Sequence, residues 1–427
     1  MNAREAAFKV VHEVLFKKGY SNIALDEMLN RDFDSRDAGF ITEIVLGTLR
    51  NKMLLENIIS IHSKIKIKKI SPSVMSVLLI GAYQIIFMDR TPNSAACNES
   101  VKLAAKFSGG RARGFANAVL RAITRDNRSL EEYYRHGAIR EGEYNCNKYS
   151  ICPSAYYKLV KQFGESATVK ILENINQPAR PCIRFNDDEN VLKHKVILKD
   201  NEIPFEKGKI AASAFYPDLN GPVSELDIYK KGIISLQDEG AQAMGLFASP
   251  QPGSEVLDAC ASPGGKTAHM AALMNGNGMI TACDIHTQRV TNMKNNLSRI
   301  RFRNFKFMEK DMSVNHKDFK DKFDTVLVDV PCSGIGTAQR RPEIKLFYKE
   351  DPSLYKLQGA ILKSCSEYVK PGGHIIYGTC TLFNEENREI VDMYLSSSDE
   401  FTLEDEKTIL PDGRTGGFYM AKLARQS

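Results

Sequence analysis

The chain has 427 residues, of which 43% are hydrophobic and 26% are charged. One hydrophobic core rarely organises so long a chain, so the sequence predicts two or three domains. The start of the chain is amphipathic where a secretion signal would be apolar, which argues against export. The most apolar window, residues 74–88, is too short to span a bilayer and predicts a buried helix in a protein without membrane segments.

The cysteines point to a reducing compartment. Nine are present, without CxxC pairs or the histidine spacing of a zinc site, so we expect no metal. An odd number of cysteines in a chain without a secretion signal predicts free thiols and a cytoplasmic location.

The net charge of +6 is unevenly distributed. Residues 1–150 hold 23 Lys and Arg against 16 Asp and Glu, a balance of +7, whereas the rest holds 35 against 36, a balance of −1. A basic segment joined to a neutral one is typical of a polyanion-binding domain. A solvated surface with a local bias explains the charge equally well.

The first 130 residues have apolar positions at helical spacing and predict an all-α domain. Ser71-Pro72 is typical of a helix start, and this helix is expected to run through Met88. Basic residues cluster on the connections, at 64–69 and between 102 and 125. The stretch Gly114-Phe115-Ala116-Asn117-Ala118-Val119-Leu120-Arg121 resembles a NusB-type helical RNA-binding domain, assigned to residues 1–130.

Two less regular stretches follow. Residues 128–152 are polar, without periodicity, and are predicted to be a linker. Residues 150–236 mix short helical and strand-like runs, which predicts a small α+β RNA-binding or linker domain.

From Gln237 onward five apolar runs alternate with helix-length segments, at 255–260, 279–284, 305–311, 323–329 and 374–380. This alternation predicts a doubly wound, mostly parallel α/β sheet, whose ligands bind at the carboxyl ends of the strands. Bounded in this way, every run ends on Asp or Cys, the residue types expected at a site.

The first run leads into a glycine-rich turn, Asp258-Ala259-Cys260-Ala261-Ser262-Pro263-Gly264-Gly265-Lys266-Thr267. Such a turn lets the backbone approach a ligand closely. A P-loop would need glycine where Cys260 stands, and the dinucleotide fingerprint is absent, so the glycines alone leave the ligand open. Asp284 is placed to bind ribose hydroxyls and Asp311 an adenine edge, although Asp also ends strands simply because it favours turns.

Two cysteines lie at or just beyond strand ends, Cys332 in Asp329-Val330-Pro331-Cys332-Ser333-Gly334 and Cys380 in Gly378-Thr379-Cys380-Thr381. A single cysteine in such a place is usually a small core residue. Two cysteines at neighbouring strand ends of a nucleotide-binding sheet indicate that they take part in a reaction.

The three motifs together resemble motifs I, IV and VI of the RNA 5-methylcytosine methyltransferases. The order of the three predicted domains resembles the Sun/RsmB branch, which modifies 16S ribosomal RNA. The resemblance implies a Rossmann-like class I methyltransferase domain over residues 237–427, and 16S rRNA as the partner of a chain expected to be a monomer. It also implies S-adenosylmethionine as cofactor, bound by Cys260, Ala261, Ser262, Pro263, Gly264, Gly265, Lys266, Asp284, Asp311 and Asp329.

The resemblance further implies roles in methylation of cytosine carbon 5. Cys380 is the nucleophile that adds to carbon 6, Cys332 helps to remove the carbon 5 proton, and Asp329 hydrogen-bonds the ring near N3. From the residues alone both cysteines stay candidates, because DNA cytosine methyltransferases use the cysteine of the Pro-Cys motif. Three basic residues beyond that motif are predicted phosphate contacts, with a solvated turn as the alternative: Arg340, Arg341 and Lys345.

Some departures and alternatives remain. Ser262 replaces a common alanine, Gly416-Gly417-Phe418-Tyr419 stands where Asp-Gly-Phe-Phe is usual, and the chain has no tryptophan. An exocyclic amino methyltransferase would carry Asn/Asp-Pro-Pro-Phe/Tyr at the fourth strand, where this chain has Asp-Val-Pro-Cys. A tRNA-directed enzyme with the same motifs and a non-catalytic RNA-binding factor are the alternative functions.

Overall fold

The structure is a computed structural model that describes residues 1–187, 190–219 and 221–427. Residues 188, 189 and 220 of the predicted α+β module lie outside the described residues. The chain forms two compact units that are not consecutive in sequence. The helical unit comprises residues 1–177 and 338–349, and the sheet unit comprises residues 178–337 and 350–427.

The helical unit is built from α-helices of six to sixteen residues, with one shorter helix in its returning segment. They are α1 (Ala3–Lys17), α2 (Ser21–Leu29), α3 (Ser35–Arg50), α4 (Lys52–His62), α5 (Pro72–Phe87), α6 (Asn93–Ser108), α7 (Gly110–Ile123), α8 (Leu130–Arg135), α9 (Glu141–Tyr149), α10 (Pro153–Phe163), α11 (Glu165–Ile175) and, after the return of the chain, Glu343–Phe347. A 3-10 turn spans Ile67–Lys69.

Helix α5 is the centre of this unit and confirms the predicted buried helix. It begins at Pro72, as the Ser71-Pro72 pair indicated, although the Ser71 side chain makes no capping hydrogen bond. Its residues from Val74 to Gln84 are all buried. A helix that is apolar on every side needs neighbours all round, and α1, α3, α4, α6 and α7 supply them.

Helices α3 and α5 approach closely at Gly47. A Cβ atom at this position would lie 2.0 Å from Cζ and Oη of Tyr83. The Tyr83 hydroxyl donates a hydrogen bond to the Glu43 carboxylate, which holds the ring in this place. The close packing of these helices therefore depends on the missing side chain.

The predicted linker at residues 128–152 is wrong. This stretch contains α8 and α9, and it buries Tyr133, Tyr144 and Tyr149. Helix α8 has a capping box between Ser129 and Glu132. Helices α8 and α9 have only six and nine residues and are stabilised by packed tyrosines, so their sequences show little helical periodicity.

Residues 338–349 return to the helical unit directly after the Pro-Cys loop. Lys345 is fully buried there, and its ammonium donates hydrogen bonds to the Arg50 carbonyl at 2.9 Å, the Tyr149 carbonyl and Asn176 Oδ1. Burial lowers the pKa of Lys345 well below its ordinary value, with the charge of Arg50 acting in the same direction. The prediction that Lys345 contacts phosphate is therefore wrong.

The first part of the sheet unit is an antiparallel four-stranded sheet in the order β2-β3-β1-β4. Its elements are β1 (Ile183–Phe185), α12 (Val191–Asp200), β2 (Phe205–Lys207), β3 (Ala214–Pro217), α13 (Asp227–Lys230) and β4 (Ile234–Leu236). Strands of three or four residues carry little pattern, so the sequence showed only short strand-like runs in this part of the chain.

The rest of the sheet unit holds a seven-stranded sheet in the order β10-β11-β9-β8-β5-β6-β7. Its elements are α14 (Glu239–Ala248), β5 (Glu255–Asp258), α15 (Gly265–Leu273), β6 (Met279–Asp284), α16 (Thr287–Ser298), β7 (Phe305–Glu309), β8 (Phe323–Asp329), α18 (Pro352–Ser366), β9 (Val369–Thr379), α19 (Arg388–Leu395), β10 (Phe401–Ile409) and β11 (Phe418–Arg425); the helix Glu343–Phe347 of the helical unit is α17. Short 3-10 turns lie at Val223–Glu225, Lys317–Phe319, Ile335–Thr337 and Asn384–Glu386.

The five strands from β5 to β9 are parallel, which confirms the predicted doubly wound sheet. Strands β10 and β11 are antiparallel additions at one edge, and the sequence reasoning did not include them. Three strand ends were placed too late: β5 ends at Asp258, β7 at Glu309 and β9 at Thr379. Consequently Cys260, Asp311 and Cys380 lie on the connections beyond their strands. Among the described residues no helix is long and apolar enough to cross a membrane.

Candidate active site

The carboxyl ends of the central strands bring the predicted residues to one edge of the sheet. Asp258 ends β5, paired in register with Ala282 of β6 and Leu327 of β8. Asp329 ends β8 opposite Gly378 of β9. Because these strands are parallel, their ends and the loops after them share this edge.

The two predicted cysteines meet here. Cys332 Sγ lies 3.2 Å from Cys380 Sγ, and the Cys380 backbone N–H donates to Cys332 Sγ at 3.3 Å. Both side chains are half-buried. The thiols are 48 residues apart in sequence, so the fold alone brings them together.

The environment of Cys332 opposes its ionisation. The hydrogen bond with Cys380 raises the pKa of Cys332 well above its ordinary value, and burial and the charge of Glu386 act in the same direction. A thiolate is therefore disfavoured at Cys332 in the resting protein.

A lysine interacts electrostatically with the other thiol. Lys266 Nζ lies 2.5 Å from Asp329 Oδ2. Burial acts to lower the pKa of Lys266, but the Asp329 carboxylate outweighs it, with further attraction from Asp258 and Cys380, so that the pKa is raised. Since the attraction between the ammonium and Cys380 is mutual, Lys266 favours negative charge on the Cys380 sulfur.

The connection from β5 to α15 contains the predicted cofactor residues Cys260 to Gly264, followed by Gly265 and Lys266 in the first turn of the helix. Gly264 has a φ of +98°, a conformation that a residue with a side chain rarely adopts. Burial raises the pKa of Cys260 well above its ordinary value, with Cys365 and Asp329 contributing, so this thiol is no nucleophile. Its place on the turn is consistent with a lining role.

Asp258 is a buried carboxylate that the prediction of cofactor residues omitted. Its Oδ2 accepts a hydrogen bond from Thr267 Oγ1 at 2.7 Å, whereas its buried Oδ1 has no partner. Burial raises the pKa of Asp258 to about 7, with Thr267 and Lys266 acting in the opposite direction. An unsatisfied buried acceptor fits a ligand that brings a hydrogen-bond donor or a positive charge, such as the amino group of S-adenosylmethionine.

Asp284 and Asp311 are placed differently. Asp284 ends β6, is buried, and its Oδ1 accepts the His286 N–H at 3.1 Å, while Arg289 lies 3.7 Å from Oδ2. Asp311 comes two residues after β7, and its Oδ1 accepts both the hydroxyl and the N–H of Ser313, which lowers its pKa. Both carboxylates lie beyond adjacent parallel strands, consistent with the expected cofactor side of the site.

The sequence analysis missed two buried polar residues that follow the Thr-Cys-Thr motif, Glu386 and Asn387. Glu386 is 1% exposed, and its Oε2 accepts the Ser333 N–H at 2.8 Å and Gln358 Nε2 at 3.0 Å. Asn387 Oδ1 accepts the Thr379 hydroxyl at 2.5 Å, and its Nδ2 donates to the Thr381 carbonyl at 3.2 Å. The polar run Asn384-Glu385-Glu386-Asn387 just after the Thr-Cys-Thr motif was the available signal.

The described residues contain no group of three or more His, Cys, Asp or Glu side chains that could hold a metal ion. Arg340 and Arg341, the two other predicted phosphate contacts, are half-buried and belong to the returning segment of the helical unit.

Comparison with known proteins agrees with this arrangement. Residues 246–424 match a family model described as 16S rRNA methyltransferase RsmB/F, and residues 1–125 match the NusB family. The ribosomal RNA small subunit methyltransferase B of Vibrio cholerae is 30% identical over 438 residues, covering 100% of this chain and 98% of the relative. The chain belongs to this methyltransferase family.

Other comparisons cover between 64% and 99% of the chain. A probable ribosomal RNA small subunit methyltransferase B of Bacillus subtilis is 29% identical over 416 residues, covering 94% of this chain and 89% of the relative. A crystal structure of PH0851 superposes with a TM-score of 0.83 at 21% identity, covering 99% of each chain. The structure of NSun6 from Pyrococcus horikoshii with SFG covers 64% of this chain and 97% of that chain, with a TM-score of 0.54 at 20% identity.

Membership in the RsmB/F family confirms the predicted fold class, a NusB-like helical domain and a Rossmann-like methyltransferase domain. It makes the chain an rRNA methyltransferase, a class of enzyme that uses S-adenosylmethionine. The geometry of the site bears on which base is methylated, at which atom and by which residues.

Proposed function

We propose that this protein methylates carbon 5 of a cytosine in 16S rRNA through a covalent adduct between Cys380 and carbon 6. The observation that carries the proposal is the pair of thiols 3.2 Å apart, with Lys266 and Asp329 beside them at the ligand-binding edge of the sheet. Methylation of an exocyclic nitrogen needs no thiol, whereas carbon 5 of cytosine must first be activated by a nucleophile.

Cys380 is the better nucleophile of the pair. Lys266 favours negative charge on its sulfur, whereas Glu386 and Cys380 itself disfavour a thiolate at Cys332. As the Cys380 thiolate bonds to carbon 6, the C5–C6 double bond opens and its electron pair makes carbon 5 nucleophilic. The Lys266–Asp329 pair can give a proton to N3 as charge develops on the ring.

Bound S-adenosylmethionine supplies the methyl group that carbon 5 accepts at this stage. Asp258, Asp284, Asp311, Asp329 and the turn from Cys260 to Lys266 would hold it. The second half of the reaction regenerates the enzyme: carbon 5 loses its proton to a base, the C5–C6 double bond re-forms, the bond from carbon 6 to Cys380 breaks and N3 returns its proton to the Lys266–Asp329 pair. Cys332, in contact with Cys380, is the residue we assign to this half.

The helical unit supplies the RNA-binding part of the proposal. Its match to the NusB family and the +7 balance of residues 1–150 favour a polyanionic partner, and the family favours 16S rRNA over tRNA. The target cytosine must leave its stack to meet Cys380, so we expect a loop or unfolded rRNA as substrate. The monomeric state stays a prediction of the sequence, and an rRNA substrate favours a cytoplasmic enzyme.

The test is transfer of radiolabelled methyl groups from S-adenosylmethionine to unmodified 16S rRNA, with nucleoside analysis of the product. Wild type is expected to yield 5-methylcytosine and Cys380→Ala none. Cys332→Ala is expected to accumulate a protein–RNA adduct. Cys152→Ala, which removes a thiol of the helical unit, is the control and should behave as wild type.

Three outcomes would change the proposal in different ways. Exchanged phenotypes of the Cys380 and Cys332 variants would reverse the roles of the thiols but keep the reaction. Labelling of tRNA without labelling of rRNA would keep the chemistry and remove the substrate assignment. Label found on a nitrogen of the base would overturn the carbon 5 chemistry itself.

A further inference from the structure

Glu386 lies between the two loops that carry the active-site cysteines. Its Oε2 accepts the Ser333 N–H, directly after Cys332, at 2.8 Å. Its Oε1 accepts the Thr381 hydroxyl, directly after Cys380, at 3.4 Å. One buried side chain therefore holds the residues that follow both thiols.

Neighbouring groups add hydrogen bonds to these contacts of Glu386, which together we call the clamp at Glu386. Gln358 Nε2 donates both to Glu386 Oε2 at 3.0 Å and to the Pro331 carbonyl at 2.9 Å, so the Pro-Cys loop is held on both sides of Cys332. The hydroxyls of Ser333 and Thr381 lie 2.8 Å apart. The Tyr377 hydroxyl donates to the Glu386 carbonyl at 2.6 Å and fixes the backbone that presents the carboxylate.

We propose that Glu386 is a positioning residue that holds the Cys332 loop against the Cys380 loop and keeps Cys332 in its thiol form. The inference rests on the proposed function, because it decides which of two touching thiols attacks the base. The charges act in opposite senses: the Glu386 carboxylate raises the pKa of Cys332, and the Lys266 ammonium is attracted by Cys380.

The arrangement also predicts the order in which the two thiols react: Cys380 first, and Cys332 after the bond to carbon 6 has formed. The titratable groups that interact with Cys332 include Cys380, Glu386 and Tyr377. Cys380 is the largest contributor to the raised pKa of Cys332. Once Cys380 is bonded to carbon 6 it is a neutral thioether, so its strong hydrogen bond with Cys332 and its charge are both lost. Cys332 can then lose its proton to solvent and become able to accept the proton from carbon 5.

The experiment is alkylation of the free enzyme by iodoacetamide across pH, with the two cysteines read separately by mass spectrometry. In wild type we expect Cys380 to be alkylated faster than Cys332 at neutral pH. Glu386→Gln keeps the shape of the side chain and removes its charge. It should speed alkylation of Cys332 at neutral pH by about three- to ten-fold, because the rate follows the thiolate fraction.

Two further variants separate charge from structure. Glu389→Gln, an exposed residue of α19, makes the same charge change and should leave both rates as in wild type. Glu386→Asp keeps the charge but withdraws its oxygens from Ser333, so it should slow methyl transfer without speeding alkylation of Cys332. Affinity for S-adenosylmethionine should stay unchanged in all three variants.

Faster alkylation of Cys332 than of Cys380 in wild type would overturn the inference, and this comparison does not depend on the folding of any variant. An unchanged Cys332 rate in Glu386→Gln, or equal acceleration of both thiols in Glu386→Gln and Glu386→Asp, would also overturn it. These readouts need no RNA, so they are distinguishable from a failure of the proposed function, which would appear as wild-type enzyme that forms no 5-methylcytosine.

Discussion

Lys266 shows how one side chain can serve several parts of a site. Its ammonium is paired with Asp329 and is attracted by Asp258 and Cys380. At an effective dielectric constant of about 20, two unit charges 4 Å apart interact by about 4 kcal/mol, which is enough to decide where a proton resides. The lysine thus links the carboxylates at the strand ends to the proposed nucleophile.

Lys266→Met is expected to slow both methyl transfer and alkylation of Cys380 at neutral pH, the latter about ten-fold, because the thiolate loses its neighbouring cation. The measurement is the pH profile of Cys380 alkylation in the free enzyme. Lys310→Met is a matched control, since the side chains of Lys266 and Lys310 are both 16% exposed and both are paired with an aspartate. Equal profiles for the two variants would contradict this role of Lys266.

Asp258 predicts a dependence of stability on pH. Its pKa is raised to about 7 in the folded protein by burial, above the ordinary value of 3.8, so the folded state binds more protons than the unfolded state between these values. The contribution of this group to the free energy of unfolding is therefore present below about pH 4 and is lost as the pH rises to 7, by up to about 1.4 kcal/mol per pH unit.

Asp258→Asn removes this titration and can still accept the Thr267 hydroxyl. Thermal unfolding between pH 5 and pH 8 should therefore show a smaller loss of stability in the variant than in wild type. S-adenosylmethionine, whose amino group fits the unsatisfied Oδ1, should reduce the loss in wild type more than in the variant. Parallel pH profiles would show that Asp258 is ionised throughout this range.

At the scale of elements, the helical unit depends on close helix packing. At Gly47 on α3 an added Cβ would overlap the Tyr83 ring, whereas at Gly39 on the same helix nothing lies within 4 Å of such an atom. The two glycines have the same intrinsic helix propensity, so the contact with α5 is the difference between them.

Gly47→Ala is expected to lower the free energy of unfolding of the helical unit by about 1–3 kcal/mol through overpacking. Gly39→Ala should raise it by up to about 1 kcal/mol, because alanine is the better helix former. Urea unfolding followed by circular dichroism measures both. A Gly47→Ala protein as stable as Gly39→Ala would mean that α3 and α5 separate at little cost.

At the scale of the whole molecule, the two units are interleaved along the chain. Residues 338–349 leave the sheet unit just after the Pro-Cys loop and are built into the helical unit by buried contacts of Lys345 and Glu343. Deletion of residues 1–130 would remove partners of both side chains. RNA binding by the helical unit is therefore better tested by substituting exposed basic residues than by deleting residues 1–130.

Two adjoining clefts between α6 and α7 share Ser94 and Asn98 and are lined by Arg113, Arg121 and Arg125. Changing these three arginines to Gln should weaken RNA binding and lower the slope of log affinity against log salt by about two, since each phosphate contact in single-stranded RNA contributes about 0.7. Binding of S-adenosylmethionine should stay unchanged, as measured by titration of both ligands.

The control for this prediction is a second set of exposed charges on the same unit. Lys64, Lys66 and Lys68 changed to Gln remove the same three charges from the connection before α5. If both triple variants lower the salt slope equally, binding is spread over the unit and is not concentrated in the α6–α7 clefts.

Local patterns along the chain were enough to predict the class of each half of the protein. Helical spacing predicted the α-helical unit around α5, and apolar runs ending near Asp and Cys predicted the parallel strands and their functional edge. These signals survive in sequence because period and strand ends are local properties. The motifs also indicated the cysteines and the acidic residues of the site, although not the contacts between them.

Features that depend on neighbours distant in sequence could be seen only in the folded chain. The contact of Cys332 with Cys380, the clamp at Glu386 and the return of residues 338–349 to the helical unit all join residues far apart in the chain. Lys345 shows the physical reason most clearly. A lysine in a basic turn indicates a solvated charge or a phosphate contact, and burial among three carbonyl oxygens exists only once the chain has folded.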